Sequence, residues 1–399
     1  MMQRILIITD KYPIDPDRSP AAWMLSHLRS LDGVADVTVV SLVRMLPRLK
    51  NLAFGGYDRR WFRVLRALPK RAQLFPHVAV HHRFCFTLPD LLGWRINPRL
   101  YLWQQSRWLR SLIHRHHFDA VLLHYLHAAA PLARMAASVN GVPLWMDENE
   151  TLGSMPEEGQ TPLRDWLLEQ LVSADAVIAQ CGVQEAEMKQ ALPGKRVHVI
   201  PLAVEDDLPA ADPPIPPPLH CICVSRLDLA SKNVDPLLRA VERVRREEGV
   251  DLRLTVAGDG FLRPALQQLA RNLGIAEAVH FAGWLPQSAL HNLMCAQHIA
   301  VQPSQHESFG LVALEAAAAG VPLIAGAKAG VVPDLVALAA AVRPLARSSP
   351  EEIARAILEV LGRLRVLQHQ ALEARGRVCE QYSWRMHARG YSALLATLE

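Results

Sequence analysis

Short apolar runs recur along this chain, closed by Gly, Pro, Asp or His and separated by stretches with helical spacing of apolar residues. Residues 4–9 (Arg-Ile-Leu-Ile-Ile-Thr) read as a buried strand, and residues 21–31 as an amphipathic helix. Residues 37–42, 120–124, 142–147, 176–179 and 197–200 are further short apolar runs. Near-continuous apolar strands separated by helices predict a parallel sheet covered on both faces. Its crossovers should be right-handed.

The alternation stops at Pro201. Residues 212–218 then run Asp-Pro-Pro-Ile-Pro-Pro-Pro, which neither a helix nor a central strand accommodates. A semi-rigid linker over 204–218 is the physical reading. Strands are expected again at 221–225, 252–257, 278–282, 299–302 and 321–325, with helices at 234–247, 263–272, 287–294 and 311–319. The expected architecture is α/β: two Rossmann-like doubly wound domains, at 1–203 and 219–378, followed by a helical segment at 379–399. Two such domains facing each other leave a cleft at the carboxyl ends of their strands, where ligands bind in such sheets.

The 399 residues suit two domains, and a hydrophobic fraction of 50% excludes bulk disorder and a fibrous protein. Net charge is only +4, yet residues 44–115 hold fifteen Lys and Arg against Asp58 and Asp90 alone. Aromatics interleave with those cations, among them Trp61, Trp94, Trp103 and Trp108. The combination suits peripheral contact with an anionic membrane. No nucleic-acid recognition motif accompanies it, so a nucleic-acid partner is not expected.

The six cysteines show neither a disulfide framework nor zinc spacing, and Cys221 and Cys223 read as core on one strand face. A reducing, cytoplasmic setting follows, with no signal peptide and no membrane-spanning run expected. Asp15-Pro-Asp17 reads as a proline-flanked turn rather than a metal site, and His114, His116 and His117 as a solvated helix end. No metal dependence is expected.

The chemistry concentrates in Gln305-His-Glu-Ser-Phe-Gly-Leu-Val-Ala-Leu-Glu315, which follows one strand and opens a helix. Gly310 lets backbone approach a ligand, and the amides of Phe309, Gly310 and Leu311 lie at a helix N-terminus suited to an anion. Glu315, one turn along, can accept two hydroxyl hydrogen bonds of the kind a ribose offers. Glu307 sits just before the helix, within reach of a sugar's hydroxyls. Arg226 and Lys232, after the strand at 221–225, suit a diphosphate, the first as a fork and the second as a point charge. Val256-Ala-Gly-Asp-Gly260 reads as a strand end and tight turn.

These elements, in this order and spacing, resemble the retaining glycosyltransferases of family 4, which have the GT-B fold. The resemblance covers nearly the whole chain. It implies that Glu315 holds the donor ribose, and that Glu307 with the amides of Ser308, Phe309, Gly310 and Leu311 lies near the sugar and phosphates. It implies that Arg226 and Lys232 hold the diphosphate and that Trp284-Leu285 lies near the base, with Gly258 also on the donor side. His124, ending Phe118-Asp-Ala-Val-Leu-Leu-His124, looks like the family's active-site histidine, with His127 the alternative. Asp147 and Asn149 are placed toward the acceptor. Tyr382-Ser-Trp-Arg looks like the family's last helix, which crosses back to the N-terminal domain.

One departure is the first strand-to-helix loop, residues 11–22, which lacks the family's usual glycine pair. A Pro-rich loop there, and Leu92-Gly-Trp-Arg-Ile-Asn-Pro-Arg-Leu100, are similar to a bacterial surface-polysaccharide subset, the teichuronic-acid type transferases. The implied activity is metal-independent hexosyl transfer from a nucleoside-diphosphate sugar to a glycan or polyprenyl-linked hydroxyl, at the inner face of the membrane, without a cofactor. The competing readings are a sugar-nucleotide epimerase on the same double fold and a non-catalytic nucleotide-sugar-binding protein.

Overall fold

The apolar runs become the interior strands of two parallel sheets. The computed structural model describes residues 2–10, 12–13, 23–44, 67–85, 96–124, 129–147, 161–205, 208–213, 217–228 and 230–398. The chain divides into one unit of Met1–Gln180, Gln184–Pro201 and His387–Glu399, and a second of Cys181–Val183 and Leu202–Met386.

In the first unit the described elements are β1 (Arg4–Thr9), α1 (Trp23–Leu31), β2 (Asp36–Arg44), β3 (Arg71–Phe75), β4 (Val78–Cys85), α2 (Ile96–Arg115), β5 (Ala120–His124), α3 (Ala130–Asn140), β6 (Leu144–Asp147), α4 (Thr161–Val172), β7 (Ala176–Ala179), α5 (Gly182–Ala191) and β8 (Arg196–Val199). The strand order is β3-β4-β2-β1-β5-β6-β7-β8. All neighbours pair in parallel except the antiparallel edge pair β3–β4. Ile5, Leu6, Ile7 and Ile8 are fully buried, as a strand covered on both faces requires. Burying each such side chain contributes about 1.5–3 kcal/mol.

The edge hairpin is absent from the sequence expectation. It lies within the cationic stretch, and β4 mixes buried and half-buried positions where β1 is buried from Ile5 onward. Arg83 stands over the Trp108 ring at 4.2 Å and donates from Nε to Gln105 at 2.8 Å, so one of the basic residues there is packed rather than solvated.

The second unit repeats the pattern with β9 (Leu219–Val224), α6 (Val234–Glu248), β10 (Leu252–Ala257), α7 (Arg263–Asn272), β11 (Val279–Gly283), α8 (Gln287–Cys295), β12 (Ile299–Gln302), α9 (Leu311–Ala319), β13 (Leu323–Gly326), α10 (Val332–Ala337), β14 (Val342–Leu345), α11 (Pro350–Gly362), α12 (Leu364–Gln381) and α13 (Trp384–Leu395). Its described strands run β11-β10-β9-β12-β13-β14, all parallel. Helix α6 buries Leu237, Leu238, Val241 and Val244, one stripe at helical spacing. Helix α11 starts on Ser349, whose side chain accepts from the Glu352 amide, with Pro350 next. Cys221 and Cys223 are buried core residues, as expected, and burial pushes the Cys223 thiol up to about 12.

The segment read as a spacer is partly integrated into the second unit. The Ala211 amide donates to Ala319 O at 2.7 Å, and the Asp212 amide to Cys295 O at 2.9 Å. Prolines lack an amide donor, but the residues before the run keep theirs and use them. From His387 onward α13 belongs to the first unit, where Gln3 Nε2 donates to Leu395 O at 3.2 Å.

Candidate functional site

Each sheet has a point where the strand order reverses, and in doubly wound sheets ligands bind at the carboxyl ends of the strands there. In the second unit that point lies between β9 and β12. Arg226 and Lys232 follow β9; Glu307 and Gly310 follow β12. Lys232 Nζ donates to Glu307 Oε1 at 2.7 Å, with both side chains about one-seventh exposed. Gln302, the last residue of β12, adds a second hydrogen bond to the same oxygen at 3.1 Å. Arg226 is half exposed, and its guanidinium lies 3.7 Å from Asp228.

Helix α9 begins at Gly310, whose φ of 84° and ψ of 54° lie in the left-handed region that favours glycine. Gly310 has no side chain with which to cap this N-terminus. The first turn holds no acidic side chain, so the positive end of the helix is available to an anion. Phe309 is buried, with its ring 6.2 Å from that of Tyr382. Ser308 is half-buried beside it.

Glu315 lies one turn into α9 and is buried, with Oε1 accepting from His291 Nε2 of α8 at 3.1 Å. His291 was not singled out in the sequence, because an i, i+4 pattern on α8 marks it only as a position near the apolar stripe. Trp284 is 40% exposed and Leu285 half-buried after β11. Gly258, which read as a plain turn, follows β10 with φ +122°, and a Cβ there would stand 1.9 Å from Ser225 O. The glycine is thus required by the approach of the chain after β9, whatever it does for a ligand.

In the first unit the reversal lies between β1 and β5, and Thr9 pairs with His124 at their ends. His124 is the last residue of β5. It is fully buried. Its Nδ1 lies 2.8 Å from Asp147 Oδ2 of β6, off the line of an ideal hydrogen bond, and its Nε2 lies 3.0 Å from Nε2 of His27 on α1. His27 Nδ1 in turn meets His387 Nε2 of α13 at 2.7 Å, and His387 Nδ1 meets the Pro201 carbonyl at 2.6 Å. Two helices distant in sequence, α1 and α13, thus close over the end of β5. Asp147 is also buried, and its Oδ1 accepts from Gln180 Nε2 at 3.2 Å. Trp23 packs edge-on against His27 and His124, each at 6.2 Å. His127, Asn149, Asp15, Asp17 and nearly all of the first loop lie outside the described residues.

The family model described as "Glycosyltransferase Family 4" matches residues 35–208, and that described as "Glycosyl transferases group 1" matches residues 213–377. A similar relative is the MMP alpha-(1->4)-mannosyltransferase of Mycolicibacterium hassiacum, 30% identical over 198 residues, covering 48% of this chain and 46% of that protein. The chain thus spans about half the length of the curated relatives it matches. Among solved structures, sucrose-phosphate synthase from Thermosynechococcus elongatus superposes with a TM-score of 0.74 over 99% of both chains at 16% identity. The Anabaena Alr3699/HepE structure in complex with UDP-glucose gives 0.70 over 100% of both chains at 18% identity.

The fold is the GT-B architecture that these solved structures share. Since family models cover each half in turn, the chain belongs to the family 4 glycosyltransferases.

Proposed function

We propose that the chain transfers a hexose from a nucleoside diphosphate, with retention at the anomeric carbon, to a hydroxyl of a glycan or lipid-linked acceptor in bacterial surface polysaccharide synthesis. The observation that carries this reading is the Lys232–Glu307 pair, at the carboxyl ends of both strands flanking the reversal, beside the uncapped start of α9. As the sugar leaves, negative charge grows on the diphosphate. Lys232, Arg226 and the α9 amides are fixed donors for that charge, so the assistance is electrostatic preorganisation. Lys232 has three N–H donors and spends one on Glu307, which leaves two for phosphate oxygens. Glu315 offers its remaining acceptor capacity to ribose hydroxyls. The bound UDP-glucose of the Anabaena structure supports a donor of this class. No metal ion or cofactor is invoked. The epimerase and binding-protein readings gain nothing from the family matches.

The acceptor side of the reading draws on α2. Arg99, Trp103, Arg107, Arg110 and His114 recur on one exposed face, and the helix contains no acidic residue. Trp103 is 77% exposed. Such a face fits the surface of an anionic bilayer, with each basic residue contributing about 1 kcal/mol. Among the described residues no helix is long and apolar enough to cross a membrane. Co-sedimentation with phosphatidylglycerol vesicles should be lost in Trp103→Ala/Arg107→Ala/Arg110→Ala and weakened by salt. Binding indifferent to both would remove this part.

The donor is tested by thermal melting with UDP, GDP and ADP and their hexose conjugates, in EDTA. At 100-fold over its Kd the right ligand adds about 2.7 kcal/mol of stability. A shift with one base, absent in Lys232→Ala, is expected. A folded protein that no nucleotide stabilises would overturn the reading.

A further inference from the structure

We propose that Gln302 is a positioning residue for the transfer: its amide holds the Glu307 carboxylate in place when the donor's diphosphate draws Lys232 away from it. The inference rests on the donor reading above and adds to it a residue that acts through Glu307.

Among the described residues two side chains donate to Glu307, and both meet Oε1: Lys232 Nζ at 2.7 Å and Gln302 Nε2 at 3.1 Å. They are mounted differently. Lys232 ends a short 3₁₀ turn, Ala230–Lys232, and carries its charge on a flexible four-carbon stem. Gln302 is the last residue of β12, an interior strand between β9 and β13, and is only 5% exposed. The backbone that follows it is pinned from two sides. Pro303 O accepts from Asn233 Nδ2 at 3.0 Å and from Ser348 Oγ, and Gln305 Nε2 donates to that hydroxyl at 2.6 Å. The amide is therefore offered from a fixed point, whereas the ammonium can turn.

A carboxylate paired with a lysine accepts only, so the nitrogen of Gln302 faces Glu307 and Oε1 is turned away. That oxygen is buried and has no hydrogen-bond partner. A buried unpaired acceptor is unfavourable, so an apolar side chain of this length would suit the position better for stability alone. What the amide adds is its nitrogen, and the partner of that nitrogen is Glu307. In the free protein its bond duplicates that of Lys232. With a nucleoside diphosphate bound, phosphate oxygens compete for the Lys232 N–H groups, and the Gln302 bond is the one left to hold the carboxylate. Being neutral and carried on a strand, the amide does not follow the phosphate.

The test is Gln302→Met, which keeps the length of the side chain and removes both the donor and the unpaired oxygen. It is read with UDP, GDP and ADP, each with and without its hexose. In urea unfolding the ligand-free variant should be as stable as the parent or more so. In isothermal titration the affinity for the nucleoside diphosphate should be unchanged, while that for its hexose conjugate should fall about ten-fold, as for one lost hydrogen bond to a charged group. Gln302→Asn, whose amide stops one methylene short of Glu307, should show the same hexose-specific loss. On a Glu307→Ala background Gln302→Met should change neither affinity. A variant less stable than the parent, or unable to fold, with no hexose-specific loss in Gln302→Asn, would show a packing role and overturn the proposal. A hexose-specific loss that persists on Glu307→Ala would overturn the route through Glu307. A wild-type protein that binds no nucleotide would overturn the donor reading and this proposal with it; one that binds both ligands, with Gln302→Met indistinguishable from it, would overturn this proposal alone.

Discussion

In the free protein the cation that would meet a diphosphate is held by an anion, which makes a pair of opposed predictions for Lys232 and Glu307. At 2.7 Å, with an effective dielectric of ~20, the gross attraction is ~6 kcal/mol. Most of that is offset by removing both groups from water, and what a variant reports is the charge left behind. Breaking a fully buried pair costs about 3–5 kcal/mol and an exposed one about 0–1. With side chains 15% and 14% exposed the pair lies toward the buried limit, but Gln302 remains to donate to Glu307. We therefore expect Lys232→Ala to lose about 2 kcal/mol in urea unfolding without ligand. It should also lose nucleotide stabilisation and about 10²–10³ in transfer rate.

Glu307→Gln separates the two roles of the pair. It removes the competitor for Lys232 and a negative charge beside the proposed phosphate site. A nucleoside diphosphate lacking the sugar should then bind more tightly by about 1 kcal/mol, roughly five-fold, while transfer falls. Isothermal titration with the nucleotide that melting identifies reads the affinity, and product formation reads the transfer. A Glu307→Gln protein that binds the diphosphate more weakly than wild type would refute the reasoning. So would a Lys232→Ala protein as stable as the parent.

Three further outcomes are expected. Gly258→Ala should cost about 3 kcal/mol or more in urea unfolding, because its Cβ would stand 1.9 Å from a backbone oxygen at φ +122°; a loss under about 1 kcal/mol would show that the turn rearranges freely. His291→Leu removes the group that fixes one oxygen of Glu315, so it should reduce the preference for a ribonucleoside diphosphate over its deoxy analogue about three- to ten-fold; equal loss for both ligands would show a packing role only. His387, with its folded pKa lowered from 6.5 to about 4, binds its proton more readily when unfolded; its contribution of about 3 kcal/mol is present above pH 6.5 and lost as pH falls toward 4, which urea unfolding from pH 7.5 to 4.5 measures against His387→Phe.

The fold was legible wherever apolar residues report burial directly. Strands such as β1, β5, β10 and β12 are short apolar runs closed by turn residues, and the residues of the α9 motif sit where the strand-to-helix reading put them. The edge hairpin was not legible, because β3 and β4 carry Arg71, His82 and Arg83 and one of their faces is only half covered. Periodicity sees a polar residue as an exposed one. The same limit hid the histidine row. His27 and His387 lie 360 residues apart, and His124 reads in sequence as an active-site histidine ending an apolar run. Nothing in the spacing of a sequence distinguishes a histidine that meets a ligand from one that meets two other histidines.

The second unit escaped this limit for a physical reason. Lys232 and Glu307, 75 residues apart, each follow a strand flanking the reversal of the sheet, so their meeting is dictated by topology that the apolar runs already fix. In the row, contact depends on α1 and α13, whose rotation about their own axes is set by packing rather than by strand order. Polar partners carried at strand ends can therefore be inferred from a single sequence, whereas those carried on helices require the assembled core.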